Sequence, residues 1–218
     1  ITIQVYTPQD DSLIDNIKPD NRIKILHPKI LDLNQKDYTK IPVYTSRRLL
    51  EQAENYDIIC YIEDDILIED RDLFSKIIYL DSQTNGSMAF MPHRCEYIAD
   101  RGDVILSGDP DGGRPDLFWD TGERILIKWP LFNKEFYRAT NPHSGCYFLT
   151  QRQAIKVRDY WLSKDWKSDF ELSGPLEQAA SGMILPILKI MKPIPSNYRF
   201  LMVKHLDELW RRHPFRSE

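Results

Sequence analysis

Apolar and polar positions follow an order that predicts strands and helices in turn over the first 95 residues. The short-period segments ITIQVYTP and RIKILH are typical of strands, and DDSLIDNIKPD between them predicts a short helix. The segment PVYTSRRLLEQAENY has apolar residues at helical spacing and leads into the apolar run DIICYI. A second amphipathic segment, DRDLFSKIIYLDSQ, leads into SMAFMPH, which predicts another strand. This alternation predicts an α/β fold with an open, mixed but mostly parallel sheet flanked by helices.

The pattern changes after residue 100. Residues 101–120 are rich in Gly, Asp and Pro, which predicts a long loop or an irregular hairpin, and long ordered loops are often functional. RILIKWPLF and SGCYFLT then predict strands, and GPLEQAASGMILPI begins with a Gly-Pro helix start. QRQAIKVRDYWLSK predicts a helix that carries Ala154, Val157 and Trp161 on one face.

Composition indicates an ordinary globular chain of 218 residues and 25.8 kDa, with 42% hydrophobic residues and one sizeable core. The net charge of -4 gives no general basic field, which argues against a nucleic-acid partner. Cys60, Cys95 and Cys146 form no CxxC pair, so we expect buried thiols in a reducing compartment. No apolar run reaches the roughly 18 residues of a membrane span and no signal peptide is evident, so we expect a cytoplasmic protein. The strand pattern begins at Ile1 itself, which is compatible with a fragment of a longer chain.

Three consecutive acids follow the apolar run in YDIICYIEDDILIED. Ligands of open parallel sheets bind at the carboxyl ends of strands, where Glu63, Asp64 and Asp65 are expected. Neighbouring carboxylates repel unless protons or a cation offset their charge, and Mg²⁺, Mn²⁺ and Ca²⁺ prefer oxygen ligands. In an extended segment Glu63 and Asp65 share a face, so two carboxylates can meet one ion. A solvated acidic turn, or a cap for the following helix, is the alternative.

The segment YDIICYIEDDILI resembles the strand and DxD-type motif of GT-A glycosyltransferases, where acids meet a divalent ion that bridges the diphosphate of a nucleotide sugar. RRLLEQAENYD resembles the helix that leads into that strand. The chain departs from the motif at Glu63, whose longer side chain can still contact a ribose or a water-bound metal. The resemblance implies a single Rossmann-like, GT-A-like domain over residues 1–218. Residues 1–95 would bind nucleotide and metal, and residues 96–218 would bind the acceptor.

The same resemblance implies a set of donor-side residues. KHLD lies where several GT-A families place a histidine that completes the metal site, so the implied ligands are Asp65, Glu63 and His205. Imidazole suits Mn²⁺ better than Mg²⁺, so we expect Mn²⁺, with Mg²⁺ as the alternative. A structural role for the histidine is the other interpretation. The implied contacts to the nucleotide and its diphosphate are Tyr6, Thr7, Arg47, Asp64 and Lys204.

On the acceptor side, NPHSGCYFLT resembles the loop that lines the sugar and acceptor cleft of GT-A enzymes. Asn141, His143 and Ser144 would bond sugar hydroxyls, and Gly145 would permit close approach of the backbone. Arg94, at the end of a predicted strand, is a further candidate for this cleft. A simple turn with a capping serine is the alternative.

Glu177 follows Pro175 at a predicted helix start, in a position that resembles the acidic base of inverting GT-A enzymes. A carboxylate on a rigid helix end can deprotonate an acceptor hydroxyl. Helix capping explains the same residue equally well. Asp169 and Glu171 are the reserve candidates.

These residues together predict a metal-dependent glycosyltransferase that moves a sugar from a UDP- or GDP-type donor to a hydroxyl of a glycan or related acceptor. One alternative is a Mg²⁺-dependent nucleotidyltransferase or phosphohydrolase, because strand-end acids with a metal also serve phosphoryl transfer. The other is a sugar-binding domain without turnover. No GxxxxGK[ST] segment is present, which argues against a P-loop enzyme. The basic, aromatic tail WRRHPFRSE supports at most a peripheral membrane contact.

Overall fold

The computed structural model describes residues 1–6, 21–26, 39–98, 102–105, 120–139, 143–166 and 174–206, and it is a mixed α/β protein. The strands are β1 Thr2–Gln4, β2 Lys24–Leu26, β3 Ile58–Ile62, β4 Ile66–Leu67, β5 Met88–Phe90, β6 His93–Ile98, β7 Gly102–Ile105, β8 Asp120–Ile127, β9 Lys134–Ala139, β10 Cys146–Thr150, β11 Lys189–Pro193 and β12 Met202–His205. The helices are α1 Ile41–Glu51, α2 Leu73–Gln83, α3 Gln151–Ser163 and the single turn α4 Pro175–Glu177. Turn α4 continues as a π-helical turn over Gln178–Gly182, and 3₁₀ turns cover Ala53–Asn55 and Pro195–Phe200.

Within the described residues the strands form four small sheets, and each of the two four-stranded sheets mixes parallel and antiparallel pairs. Their orders are β1-β2, β10-β3, β5-β11-β9-β8 and β4-β12-β6-β7. Pairs β1–β2, β5–β11 and β6–β12 are parallel, and the remaining described pairs are antiparallel. The mostly parallel sheet that we expected is therefore not what these pairings show. Short connections such as those between β6 and β7 and between β8 and β9 join antiparallel neighbours, because a parallel pair needs a crossover of a dozen or more residues.

All five residues of strand β10 are buried, and they contribute to two apolar clusters. Tyr147 and Leu149 face one apolar cluster, while Cys146 and Phe148 face the other, as the two-residue period of a strand requires. The first cluster also contains the buried faces of α1 and α3, and the second contains the buried face of α2. The predicted face of α3, with Ala154, Val157 and Trp161, is confirmed as buried.

The thiols of Cys95 and Cys146 are buried, that of Cys60 is partly accessible, and no disulfide joins any of the three. Burial raises the pKa of Cys60 to about 12. This thiol therefore stays protonated at neutral pH and is a poor nucleophile. In the described part of the chain no helix is both long and apolar enough to cross a membrane.

Candidate functional site

The three consecutive acids form the tight turn that connects β3 to β4. The amide of Ile66 donates a hydrogen bond to the carbonyl of Glu63 (3.2 Å) and closes this turn. The amide of Glu63 donates to the carbonyl of Gly145 (2.8 Å), so the turn is tied to the start of β10. The amide of Leu206 donates to the carbonyl of Asp65 (2.8 Å), which ties it to the end of β12. Asp64 points to solvent, whereas Glu63 and Asp65 are partly buried.

His205 lies between two carboxylates. Its Nε2 atom is 3.0 Å from Oδ2 of Asp65, and its Nδ1 atom is 3.0 Å from Oε1 of Glu96. The sheet brings these residues together because β12 pairs with β4 on one side, where His205 is opposite Ile66, and with β6 on the other. The side chain of His205 is 1% exposed and that of Glu96 is 0% exposed, whereas that of Asp65 is 34% exposed.

The charges of this triad depend on what lies between His205 and Asp65. A neutral imidazole carries a single N–H and can donate to only one of two carboxylates. A second proton or a cation is needed to make the other contact favourable. Burial acts to lower the pKa of His205, but the hydrogen bonds to Asp65 and Glu96 outweigh it, so the pKa is raised. The hydrogen bond from His205 in turn lowers the pKa of Asp65.

Three observations fit a divalent ion bound by Asp65 and His205. Oδ1 of Asp65 is buried and has no hydrogen-bond partner among the described residues. Oδ2 of Asp65 and Nε2 of His205 face each other at 3.0 Å, a contact that needs either a proton or a cation between the two atoms. Histidine ligands commonly donate their other N–H to a carboxylate, which is the position of Glu96.

An ion held by this pair would need further ligands. Within the described ranges no group of three or more His, Cys, Asp or Glu side chains is arranged to hold an ion. Mg²⁺ sites that bind nucleotides commonly complete their coordination with phosphate oxygens and water. The same ligands would complete the coordination of an ion between Asp65 and His205.

Glu63, the other predicted ligand, faces His143. Its Oε1 atom is 3.9 Å from Nε2 of His143, which is beyond hydrogen-bond distance. Burial, together with the positive charges of Arg94 and Lys192, holds the pKa of His143 well below its ordinary range, so its ring is neutral. The Nδ1 atom of His143 is buried and finds no hydrogen-bond partner in the part of the chain that the structure describes. Glu63 and His143 thus lie close to each other next to the acid turn, and both side chains are largely buried.

Of the predicted acceptor residues, Gly145 packs directly against the acid turn. Gly145 has a φ of +66°, and a Cβ atom there would lie 2.8 Å from the Ile66 side chain and 3.0 Å from Oε2 of Glu63. The hydroxyl of the buried Ser144 donates to the carbonyl of Pro92 (2.6 Å). Arg94 is buried on β6, and its charge helps to lower the pKa of Asp65. The glycine therefore serves close packing of the chain onto Glu63 and Ile66.

Two of the predicted nucleotide contacts lie on α1 and next to β1. Nε of Arg47 donates to Glu51 (2.9 Å), and its guanidinium lies 5.0 Å from the centroid of the Trp166 ring. The hydroxyl of Tyr6 donates to Gln4 (2.7 Å). Tyr6 also packs edge-on against Tyr44 of α1, with ring centroids 6.3 Å apart, so both predicted contacts lie beside this helix.

Lys204 contacts Glu69 with its ammonium group (2.8 Å). It precedes His205 on β12, so alternation along the strand places it on the opposite face of the sheet. Among the remaining predicted residues, Thr7, Asn141, Asp169 and Glu171 lie outside the described residues.

Glu177 lies in the single turn α4, which packs against α1. Its carboxylate folds back over Gly174, where an added Cβ atom would collide with Oε2 of Glu177. Gly174 is the N-cap residue of this turn, so Glu177 stands three positions into the motif, as in a capping box. This geometry favours the capping interpretation of Glu177.

Glu96 was not anticipated from the sequence. In MPHRCEYI it follows Cys95 and precedes Tyr97, a context that gives no partner for it. A weak signal was available, because Glu96 stands two positions after Arg94 and so shares its face of the strand. The buried Lys192, whose ammonium lies 3.4 Å from the carbonyl of His143, was also not anticipated from the sequence.

Comparisons with protein-family models, with curated proteins and with solved structures each give no match for this chain.

Proposed function

We propose that this protein is a metal-dependent glycosyltransferase with a Rossmann-like GT-A sheet. It would transfer a sugar from a UDP- or GDP-type donor to a hydroxyl of a glycan or related acceptor in the cytoplasm. The observation that supports this most is the pairing of Asp65 with His205 over the buried Glu96. These side chains belong to the turn after β3 and to the end of β12, the two segments whose motifs resemble the family.

The residues of the site would have the following roles. The carboxylate of Asp65 and the imidazole of His205 would hold Mn²⁺, or Mg²⁺, which would neutralise the leaving diphosphate. Glu63, in the same turn as Asp65, and the neutral His143 near it would contact the donor sugar or ribose. Arg94, Asn141 and Ser144 would be further contacts of the donor sugar or the acceptor.

The contacts of the donor nucleotide would lie further from the acid turn. Tyr6, Thr7 and Arg47 would bind the nucleotide, and Asp64, within the acid turn itself, would border the diphosphate. Lys204 lies on the opposite face of β12 from His205, paired with Glu69, and would act there only if the ion pair opens. Glu177 would serve as base if the reaction inverts the anomeric centre, and for that its carboxylate must leave Gly174.

The test is turnover with a panel of UDP- and GDP-sugars in the presence of Mn²⁺. We expect release of nucleoside diphosphate without pyrophosphate, and loss of this release with excess chelator or in Asp65→Asn. Asp57→Asn makes the same charge change at the exposed opposite end of β3 and should keep activity. Release of pyrophosphate would indicate nucleotidyl transfer instead. No release from any donor would contradict the proposal.

A further inference from the structure

Glu96 is a carboxylate with no access to water, placed directly behind His205. Its side chain is 0% exposed, and Oε1 lies 3.0 Å from Nδ1 of His205. We propose that Glu96 is the positioning residue that makes His205 a metal ligand, by holding its Nδ1–H and leaving the lone pair of Nε2 directed at Asp65. The inference rests on the proposed function for the identity of the bound ion.

The unequal burial of the two carboxylates selects the tautomer of His205. Neutral His205 has one N–H, and Asp65 and Glu96 compete for it. Asp65 is 34% exposed, so water reaches part of its side chain although Oδ1 is buried. Glu96 is 0% exposed, and a hydrogen bond to a charged group away from water contributes more than one to a charged group that water also reaches. The N–H of the neutral ring therefore points to Glu96.

This choice leaves two electron-rich atoms facing each other. With Nδ1 protonated, Nε2 presents a lone pair to Oδ2 of Asp65 across 3.0 Å. Two acceptors at that distance repel unless a proton or a cation lies between them. A divalent ion bound by both atoms removes the repulsion, so the tautomer that Glu96 selects is the one that can bind metal.

The sheet fixes the position of Glu96 from both sides. Its strand β6 pairs with β12, with Lys204 opposite Cys95, and with β7, where Glu96 itself is opposite Val104. A central strand cannot slip by one residue without turning every side chain to the other face. The carboxylate is thus held under the imidazole by backbone hydrogen bonds on both edges of β6.

The binding test compares the Mn²⁺ affinity of wild-type protein and Glu96→Gln by calorimetry in saturating UDP or GDP. Loss of the charged partner of a metal-ligating histidine typically weakens metal binding roughly tenfold to hundredfold. Glu54→Gln, an equal charge change at an exposed glutamate, should leave the affinity unchanged. In a His205→Asn background, Glu96→Gln should have no further effect, because Glu96 acts through His205. An unchanged affinity in Glu96→Gln, or an equal loss in both backgrounds, would overturn the inference.

A second test does not depend on metal or nucleotide. Long-range ¹H–¹⁵N correlation spectra of metal-free protein, recorded where the ring is neutral, report which nitrogen carries the proton, and His205→Asn identifies the signal. We expect the Nδ1–H form in wild type and the Nε2–H form in Glu96→Leu, where Asp65 is the acceptor that remains among the described partners of His205. The Nε2–H form in wild type would overturn the tautomer assignment. A wild-type protein that shows Nδ1–H but binds no Mn²⁺ would instead refute the proposed function and the ligand role of His205.

Discussion

Substitution of Gly145 by alanine tests how tightly the chain packs behind the acid turn. Gly145 has a φ of +66°, a conformation that costs an ordinary residue about 1–2 kcal/mol. The new Cβ atom would also lie 2.8 Å from Cδ1 and Cγ1 of Ile66, closer than carbon atoms tolerate. Overpacking of this kind adds about 1–3 kcal/mol. We therefore expect Gly145→Ala to lower the free energy of unfolding by roughly 2–5 kcal/mol.

Gly122 provides the matched control. It has a φ of +82°, but no described atom lies within 4 Å of the position that an added Cβ atom would take, so only the backbone cost applies. Urea denaturation of both variants should give a larger loss for Gly145→Ala, because Gly122→Ala costs about 1–2 kcal/mol. Adding Ile66→Val to Gly145→Ala removes the contacting Cδ1 atom and should restore part of the difference. Equal losses in the two alanine variants, with no effect of Ile66→Val, would refute the packing argument.

Two further predictions concern protonation and catalysis. Burial lowers the pKa of His93 from 6.5 to about 3, so the unfolded chain takes up the proton first as pH falls, and stability is lost below about pH 6.5. Between pH 7 and pH 5 the free energy of unfolding should fall by about 2 kcal/mol for this reason. Urea denaturation at the two pH values should show this fall in wild type and a much smaller one in His93→Gln. The same pH dependence in both proteins would contradict the prediction. Glu177→Gln should keep Mn²⁺-dependent nucleotide affinity but lower transfer by orders of magnitude if Glu177 is the base. Near-normal turnover would leave it the capping role that its contact with Gly174 favours.

The strongly periodic parts of the chain were predictable, and the weakly periodic strands were not. Helices α1, α2 and α3 and strands β3 and β10 follow clear apolar patterns and occur where these predict them. Strands β9 and β11, with sequences KEFYRA and KIMKP, carry charged residues that obscure the two-residue period. Their pairing with each other is antiparallel and depends on contacts distant in sequence, so the sheet could not be read as mostly parallel or antiparallel from local patterns.

The candidate site was likewise predictable only in part. The meeting of Asp65 with His205 was implied by the resemblance of two short motifs, and their side chains lie 3.0 Å apart. Glu96 could not be found in this way, because a glutamate between Cys95 and Tyr97 gives no local sign of burial. Its role depends on the pairing of β6 with β12, which places a carboxylate behind the imidazole. Partners that a sheet brings together across 109 residues leave no short-range pattern.

Calorimetric titration of the protein with UDP and GDP, first with Mn²⁺ and then with excess chelator, tests the metal site at Asp65 and His205 most directly. We expect binding of at least one nucleotide only when the ion is present, and loss of that binding in Asp65→Ala, with the fold retained by circular dichroism. Asp57→Ala should bind like wild type. Ion-independent binding, or Mn²⁺-dependent binding that survives in Asp65→Ala, would contradict the claim that Asp65 and His205 form a metal site for a nucleotide diphosphate.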